Sequence, residues 1–272
     1  MTAGAGDATF ETSDGSAIAF TLHRAPEAGA PRLALIHSLA LDRSVWDGVV
    51  KRLSDEVELL TYDCRGHGRS ERRATAFTAE LFARDLAELL DHIGWPSAAF
   101  GGCSMGGCVA MALAGLFPAR VRGLGLIDTT AWYGPEAPAQ WRARAADARV
   151  KGLPALVDFQ VERWFGDAFR RDHPALVARV AEVFVANDFD CYAASCALLG
   201  DADLRPYLHS VRVPVSITVG EEDYATPVEM SRRLHEAIPR STLTVLPGAR
   251  HLTPVECPDQ VSAQLRTVLQ RA

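Results

Sequence analysis

The chain has 272 residues, 48% of them hydrophobic, and 34 acidic against 28 basic side chains give it a net charge of −6. That length and apolar content support a large domain with a buried core. The acidic balance and the lack of a basic tract exclude a nucleic-acid partner from the expectations, and no apolar run approaches the roughly 18–20 residues of a membrane span.

In chain order, "ATFET" and "AIAFTLHR" alternate apolar and polar residues around the turn "SDGS", which predicts a hairpin. Six short, almost wholly apolar runs follow: "LALIH" (33–37), "VELLTYD" (57–63), "SAAFG" (97–101), "GLGLID" (123–128), "PVSITVG" (214–220) and "TLTVLPG" (242–248). Such runs suit strands buried on both faces of a mostly parallel sheet. Helical patterns over 43–53, 78–93, 105–117, 227–237 and 258–271 separate most of them. The expectation is an α/β fold with an eight-stranded, mostly parallel sheet flanked by helices. Between "GLGLID" and "PVSITVG" the rhythm breaks for an aromatic-rich stretch too long to be a structureless loop. It reads as a helical cap, residues 132–205, inserted over the C-terminal edge of the sheet, where ligands bind in open α/β folds. The core is then 1–131 and 206–272.

Gly102-Cys103-Ser104-Met105-Gly106 fits G-x-S-x-G, and it lies between a predicted strand and a predicted helix. That context makes it a nucleophile elbow: the chain turns sharply at Ser104, and a Cβ at position 102 or 106 would collide with neighbouring backbone. The Met105 amide, in the first helical turn, has no intrahelical partner and points at developing negative charge. A serine hydroxyl needs a base. Of the histidines after Ser104, His173 falls inside the cap, His209 where the cap rejoins the sheet, and His235 within a helix. His251 follows the last strand in "TVLPGARHLTPVE" and is the expected base. The orienting acid is sought just past a strand. Asp223 in "SITVGEEDYATP" is favoured, with Asp128 at the end of "GLGLID" as the alternative. A second oxyanion donor is expected from the backbone amide of Leu39, after the first parallel strand. His37 and His67 read as structural. Of the six cysteines, none forms a C-x-x-C pair, so no metal is expected; Cys103, beside the serine, reads as a small buried side chain. Free thiols and an N-terminus without the basic and apolar regions of a secretory signal suggest a cytoplasmic address.

The pieces "IHSLALDRSVWDGV", "LLTYDCRGHGRS", "GGCSMGG", "VGEEDYATP" and "GARHLTPVE" resemble the motifs of the α/β-hydrolase family in the family's order. Within it, "IDTTAWYGPEAPAQWRARAADARVKGLPALVDFQVERWF" and "NDFDCYAASCALLGDADLR" resemble the cap segments of 3-oxoadipate enol-lactonases, enzymes of aromatic catabolism. The resemblance implies Ser104 as nucleophile, Asp223 as acid, His251 as base, Leu39 and Met105 as the oxyanion hole, and no cofactor. Its implied partner is a small ester or lactone, and a homo-oligomer is compatible with it. Because an enol-lactone of this class carries a free carboxylate, a cap cation is expected, drawn from Arg142, Arg144, Arg149 and Arg163; Trp141, Arg142 and Trp164 are the named substrate contacts. The chain departs from the pattern at Ala40, where a glycine is usual, and at Thr253 and Pro254, which follow the histidine in place of a His-x-x-Asn-x-Glu pattern. A broad carboxylesterase or perhydrolase of the same fold is the alternative, and a ligand-binding protein without catalysis the remote one.

Overall fold

The computed structural model describes residues 6–272, so the first five residues of the expected core lie outside the described residues. The chain opens with β1 (Gly6–Glu11) and β2 (Ala17–His23), an antiparallel hairpin. Its turn closes through a Gly15 N–H donating to Thr12 O at 2.8 Å, with Gly15 in the left-handed region that glycine tolerates. There follow β3 (Arg32–Ile36), α1 (Asp47–Leu53), β4 (Glu58–Tyr62), α2 (Ala79–His92), β5 (Ala98–Cys103), α3 (Met105–Leu116) and β6 (Val121–Ile127). Helices α4 (Ala137–Lys151), α5 (Val157–Trp164), α6 (Asp167–Asp172), α7 (Pro174–Val185), α8 (Phe189–Asp201) and α9 (Arg205–Leu208) separate β6 from β7 (Val215–Gly220). The chain ends with α10 (Val228–Ala237), β8 (Thr242–Leu246), α11 (Thr253–Glu256) and α12 (Pro258–Arg271).

One eight-stranded sheet runs in the order β1-β2-β4-β3-β5-β6-β7-β8. The β1–β2 and β2–β4 pairs are antiparallel and all others parallel. The apolar composition of the middle strands accounts for their place: every residue of β5 and β7 is buried, because helices cover both faces. Helix α3 is built from small and apolar residues and is buried on all sides over Met105–Ala114, which lets it lie close on the sheet directly behind β5. The polar ends are capped locally: Thr78 accepts from Leu81 N at the start of α2, and Asp188 from Cys191 N at the start of α8.

The helical insertion has a defined base. Trp132 and Asp203 form an isolated antiparallel bridge, Leu204 N donates to Ala131 O at 2.9 Å, and the Arg205 guanidinium sits 3.8 Å from the centre of the Trp132 ring. It is also tied to the sheet's loops. Arg250 donates to the carbonyls of Glu162 (2.7 Å) and Phe165 (3.1 Å), and Asn187 Nδ2 donates to Ala40 O at 2.7 Å. No helix among the described residues is long and apolar enough to cross a membrane.

Candidate active site

Strand β5 ends at Cys103 and α3 begins at Met105, so Ser104 alone makes the turn, with φ 54° and ψ −113°. A non-glycine residue held there costs on the order of 1–3 kcal/mol, and the surroundings must over-determine it. They do. Ser104 N donates to Ile127 O at 2.9 Å, and Ser104 O accepts from Gly107 N (2.9 Å) and Thr129 Oγ1 (2.7 Å). A Cβ on Gly102 would overlap the Gly106 carbonyl, and one on Gly106 would overlap the Ile36 carbonyl. These are backbone atoms and have no flexible end to move, which is why the elbow excludes side chains at both positions.

The β8–α11 loop brings the His251 ring over the turn. Its Nε2 lies 2.9 Å from Ser104 Oγ, and its Nδ1 lies 2.8 Å from Asp223 Oδ2 and 3.0 Å from Oδ1. With Asp223 ionised, Nδ1–H donates to the carboxylate and Nε2 accepts from the serine hydroxyl. All three residues are buried. Asp223 is held from its other side: its oxygens accept from Ala225 N (2.7 Å), Thr226 N (2.9 Å) and Thr226 Oγ1 (2.8 Å). Burial alone would raise its carboxyl. The His251 imidazole and the Thr226 donors outweigh that and hold it below the usual carboxylate value. Asp128, the alternative acid, makes no bond to His251. It accepts from Gly220 N (3.2 Å), Thr253 N (2.9 Å) and Thr253 Oγ1 (2.7 Å), so it links the end of β7 to the residue two beyond His251. Thr253, a departure from the family pattern, therefore has a partner of its own.

The amides of Leu39 and Met105 donate to no backbone or side-chain group among the described residues. Leu39 lies in the loop after β3, whose Ala40 keeps a left-handed φ of 56° although it is not glycine; the Asn187 contact to its carbonyl holds it there. His37 is structural: buried, its Nδ1–H donates to Ser38 O and its Nε2 accepts from Cys64 N, both at 2.8 Å, and burial lowers it to about 4. Cys103 is also buried, and burial pushes its thiol well above the ordinary value, away from the reactive thiolate.

Over these residues lies a cavity of about 380 Å³, within the range of small-molecule sites. Its floor includes Leu39, Ser104 and His251, and its helical wall includes Trp141 and Trp164. Arg142 is a correction. It does not line the cavity; its side chain is 66% exposed and faces Asp201 at 3.9 Å. On α4 the residues facing the cavity are Gln140, Trp141 and Arg144, at i, i+1 and i+4 and hence on one side of the helix, and Arg142 is turned away from them by the helical rotation. The cavity's cations are Arg144 and Arg163. Arg144 Nε donates to Tyr192 Oη at 3.0 Å with its guanidinium over Trp141, and Arg163 donates to Tyr224 O at 2.8 Å. Neither has a carboxylate partner among the described residues. Burial, with the neighbouring Arg144 charge, lowers the Arg163 guanidinium from its usual value. Among the lining residues that sequence reasoning missed are Tyr133, Gln140, Gln160, Tyr224 and Met230; the two glutamines had a legible signal, Gln140 standing four residues before Arg144 and Gln160 three before Arg163.

A strained serine between a parallel strand and a helix, under an imidazole delivered by the loop after the last strand, is the arrangement of an α/β hydrolase. The sequence model for the alpha/beta hydrolase fold matches residues 31–258, and the chain belongs to that family. It is 34% identical over 245 residues, 90% of this chain and 91% of the relative, to 3-oxoadipate enol-lactonase 2 of Acinetobacter baylyi. Among solved structures, the enol-lactonase from Burkholderia xenovorans LB400 superposes with a TM-score of 0.91 at 31% identity, covering 97% of this chain and 100% of that one. A thermophilic esterase from Thermogutta terrifontis, solved with malate bound, superposes with a TM-score of 0.88 at 29% identity, covering 98% of each chain.

Proposed function

We propose that this chain is a serine hydrolase that cleaves a carboxylic ester or lactone through an acyl-enzyme, and that its substrate is a carboxylate-bearing enol-lactone of the 3-oxoadipate type. The observation that carries the reading is the unbroken hydrogen-bonded line from Ser104 Oγ through His251 to Asp223, at 2.9 and 2.8 Å. In this mechanism Ser104 Oγ attacks the ester carbonyl while His251 Nε2 takes its proton. The tetrahedral oxygen is held by the free amides of Leu39 and Met105. Collapse expels the enolate or alkoxide, to which His251 returns the proton where it is needed. Water, deprotonated by the same nitrogen, then opens the acyl-enzyme, and the Asp223 carboxylate stabilises the imidazolium in both halves.

The finer substrate assignment is supported by the enol-lactonases among its relatives, by the two cavity arginines without a counter-ion, and by the malate, a dicarboxylate, in the related esterase. We read residues 132–205 as the cap, supported by the Trp132–Asp203 bridge at its base, and the unpaired state of all six cysteines fits a cytoplasmic address.

The test is a substrate panel compared by kcat/KM: the enol-lactone derived from muconolactone, simple 4-nitrophenyl esters and bulky chiral esters. A strong preference for the carboxylated lactone is expected. Equal or better turnover of uncharged esters replaces the lactonase reading with a broad carboxylesterase, and retained activity in Ser104→Ala defeats the mechanism.

A further inference from the structure

Gln160 is 2% exposed and lines the cavity, yet its amide has no hydrogen-bond partner among the described residues. Its polar atoms are not among the fully enclosed ones, so the amide opens onto the cavity, where its donors and acceptor are free for a ligand. The amide's neighbours are informative. On α5, Gln160, Arg163 and Trp164 stand at i, i+3 and i+4, so one face of this helix presents an amide, a cation and an indole to the same space. Arg144 enters from α4. Two guanidiniums with no carboxylate partner repel each other, and that repulsion is relieved by an anion brought from outside. An amide beside them contributes what an arginine cannot: N–H donors toward a carboxylate oxygen and a carbonyl that accepts from a guanidinium, both within one planar group.

We propose that Gln160 is a specificity-determining residue, whose amide, together with Arg144 and Arg163, selects esters and lactones that carry a carboxylate away from the scissile carbonyl. This rests on the hydrolase reading above and extends it: the arginines supply charge, and Gln160 supplies direction.

The experiment compares two 4-nitrophenyl esters of equal chain length, the pentanoate and the glutaric acid monoester, which differ in a terminal methyl or carboxylate. The quantity read is the ratio of their kcat/KM values, with Tm as a control for folding. The wild-type enzyme is expected to prefer the glutarate monoester. Gln160→Leu should lower the ratio at least tenfold, mainly through the KM of the charged ester, while Tm stays level because no protein hydrogen bond is lost. Gln160→Glu places a resident carboxylate before the arginines and should lower the ratio at least a hundredfold. A ratio within twofold of wild type in both variants overturns the proposal, as does an equal loss on both esters accompanied by a fall in Tm, which marks a structural role. Failure of the underlying reading looks different: the wild-type protein turns over neither ester, and a fluorophosphonate leaves Ser104 unlabelled.

Discussion

Acidification should reverse the order of stability of the wild-type protein and a His67→Leu variant. His67 is buried; its Nδ1–H donates to Arg65 O at 3.0 Å, and its Nε2 has no partner. Burial, with the His37 ring 5.1 Å away, lowers it from 6.5 to about 3. The folded value lies below the unfolded one, so the stability tied to the neutral ring is complete above pH 6.5 and is lost as pH falls toward 3. Between pH 7 and pH 5 the unfolded chain takes up a proton here and the folded chain does not. At about 1.36 kcal/mol per pH unit over about 1.5 units, that costs the wild-type protein about 2 kcal/mol. Because pH 5 is still well above the folded value, the figure depends on the unfolded reference and hardly on how far below 5 the folded value lies. At pH 7 the variant loses one buried hydrogen bond, worth about 1 kcal/mol, and is the less stable. At pH 5 it should be the more stable by about 1 kcal/mol. Comparing the two proteins cancels the other titrating groups, including the buried carboxyls of Asp63 and Asp85, whose raised values act in the opposite direction. The assay is urea unfolding followed by tryptophan fluorescence at both pH values. A stability difference that stays the same at pH 7 and pH 5 would refute the reasoning.

Other perturbations address the site directly. Gly106→Ala should destabilise by about 3 kcal/mol or more in urea and abolish ester turnover, because its Cβ meets the backbone of β3 rather than a side chain able to yield. Asp223→Asn should keep the fold and lower kcat by about 10⁴, since the amide leaves His251 in the wrong tautomer; a fall below tenfold in steady-state assays contradicts the role given to Asp223. Arg144→Ala should raise KM for a carboxylated ester about tenfold or more, whereas Arg142→Ala, outside the cavity, should leave KM as it is; equal effects on KM would contradict the assignment of the cavity cation to Arg144.

The legible parts of the fold were those set by local chemistry. All eight strands were visible as alternating or continuous apolar runs, and the helices between β6 and β7 as a helical stretch where a strand was due. The elbow was visible because Gly102 and Gly106 flank a serine at a strand–helix junction, and the same two glycines are the ones whose Cβ atoms meet backbone. Other features depend on rotation and on long-range contacts. Helix α4 has small and charged residues on most sides and no clear apolar stripe, so nothing in it told Arg142 from Arg144 until its packing was known. The Asn187 bond to Ala40 O spans 147 residues, and the Thr253 bonds to Asp128 span 125. Neither leaves a mark in any local window, although the first steadies the loop of the proposed oxyanion hole and the second the loop of His251.

The reactivity of a single hydroxyl underlies all of this. Intact-mass and peptide mass spectrometry after treatment with a fluorophosphonate measures it most directly. The account predicts one adduct per chain, located on Ser104, formed in step with loss of esterase activity and greatly slowed in His251→Ala. An adduct at another residue, or full activity with Ser104 modified, would contradict it.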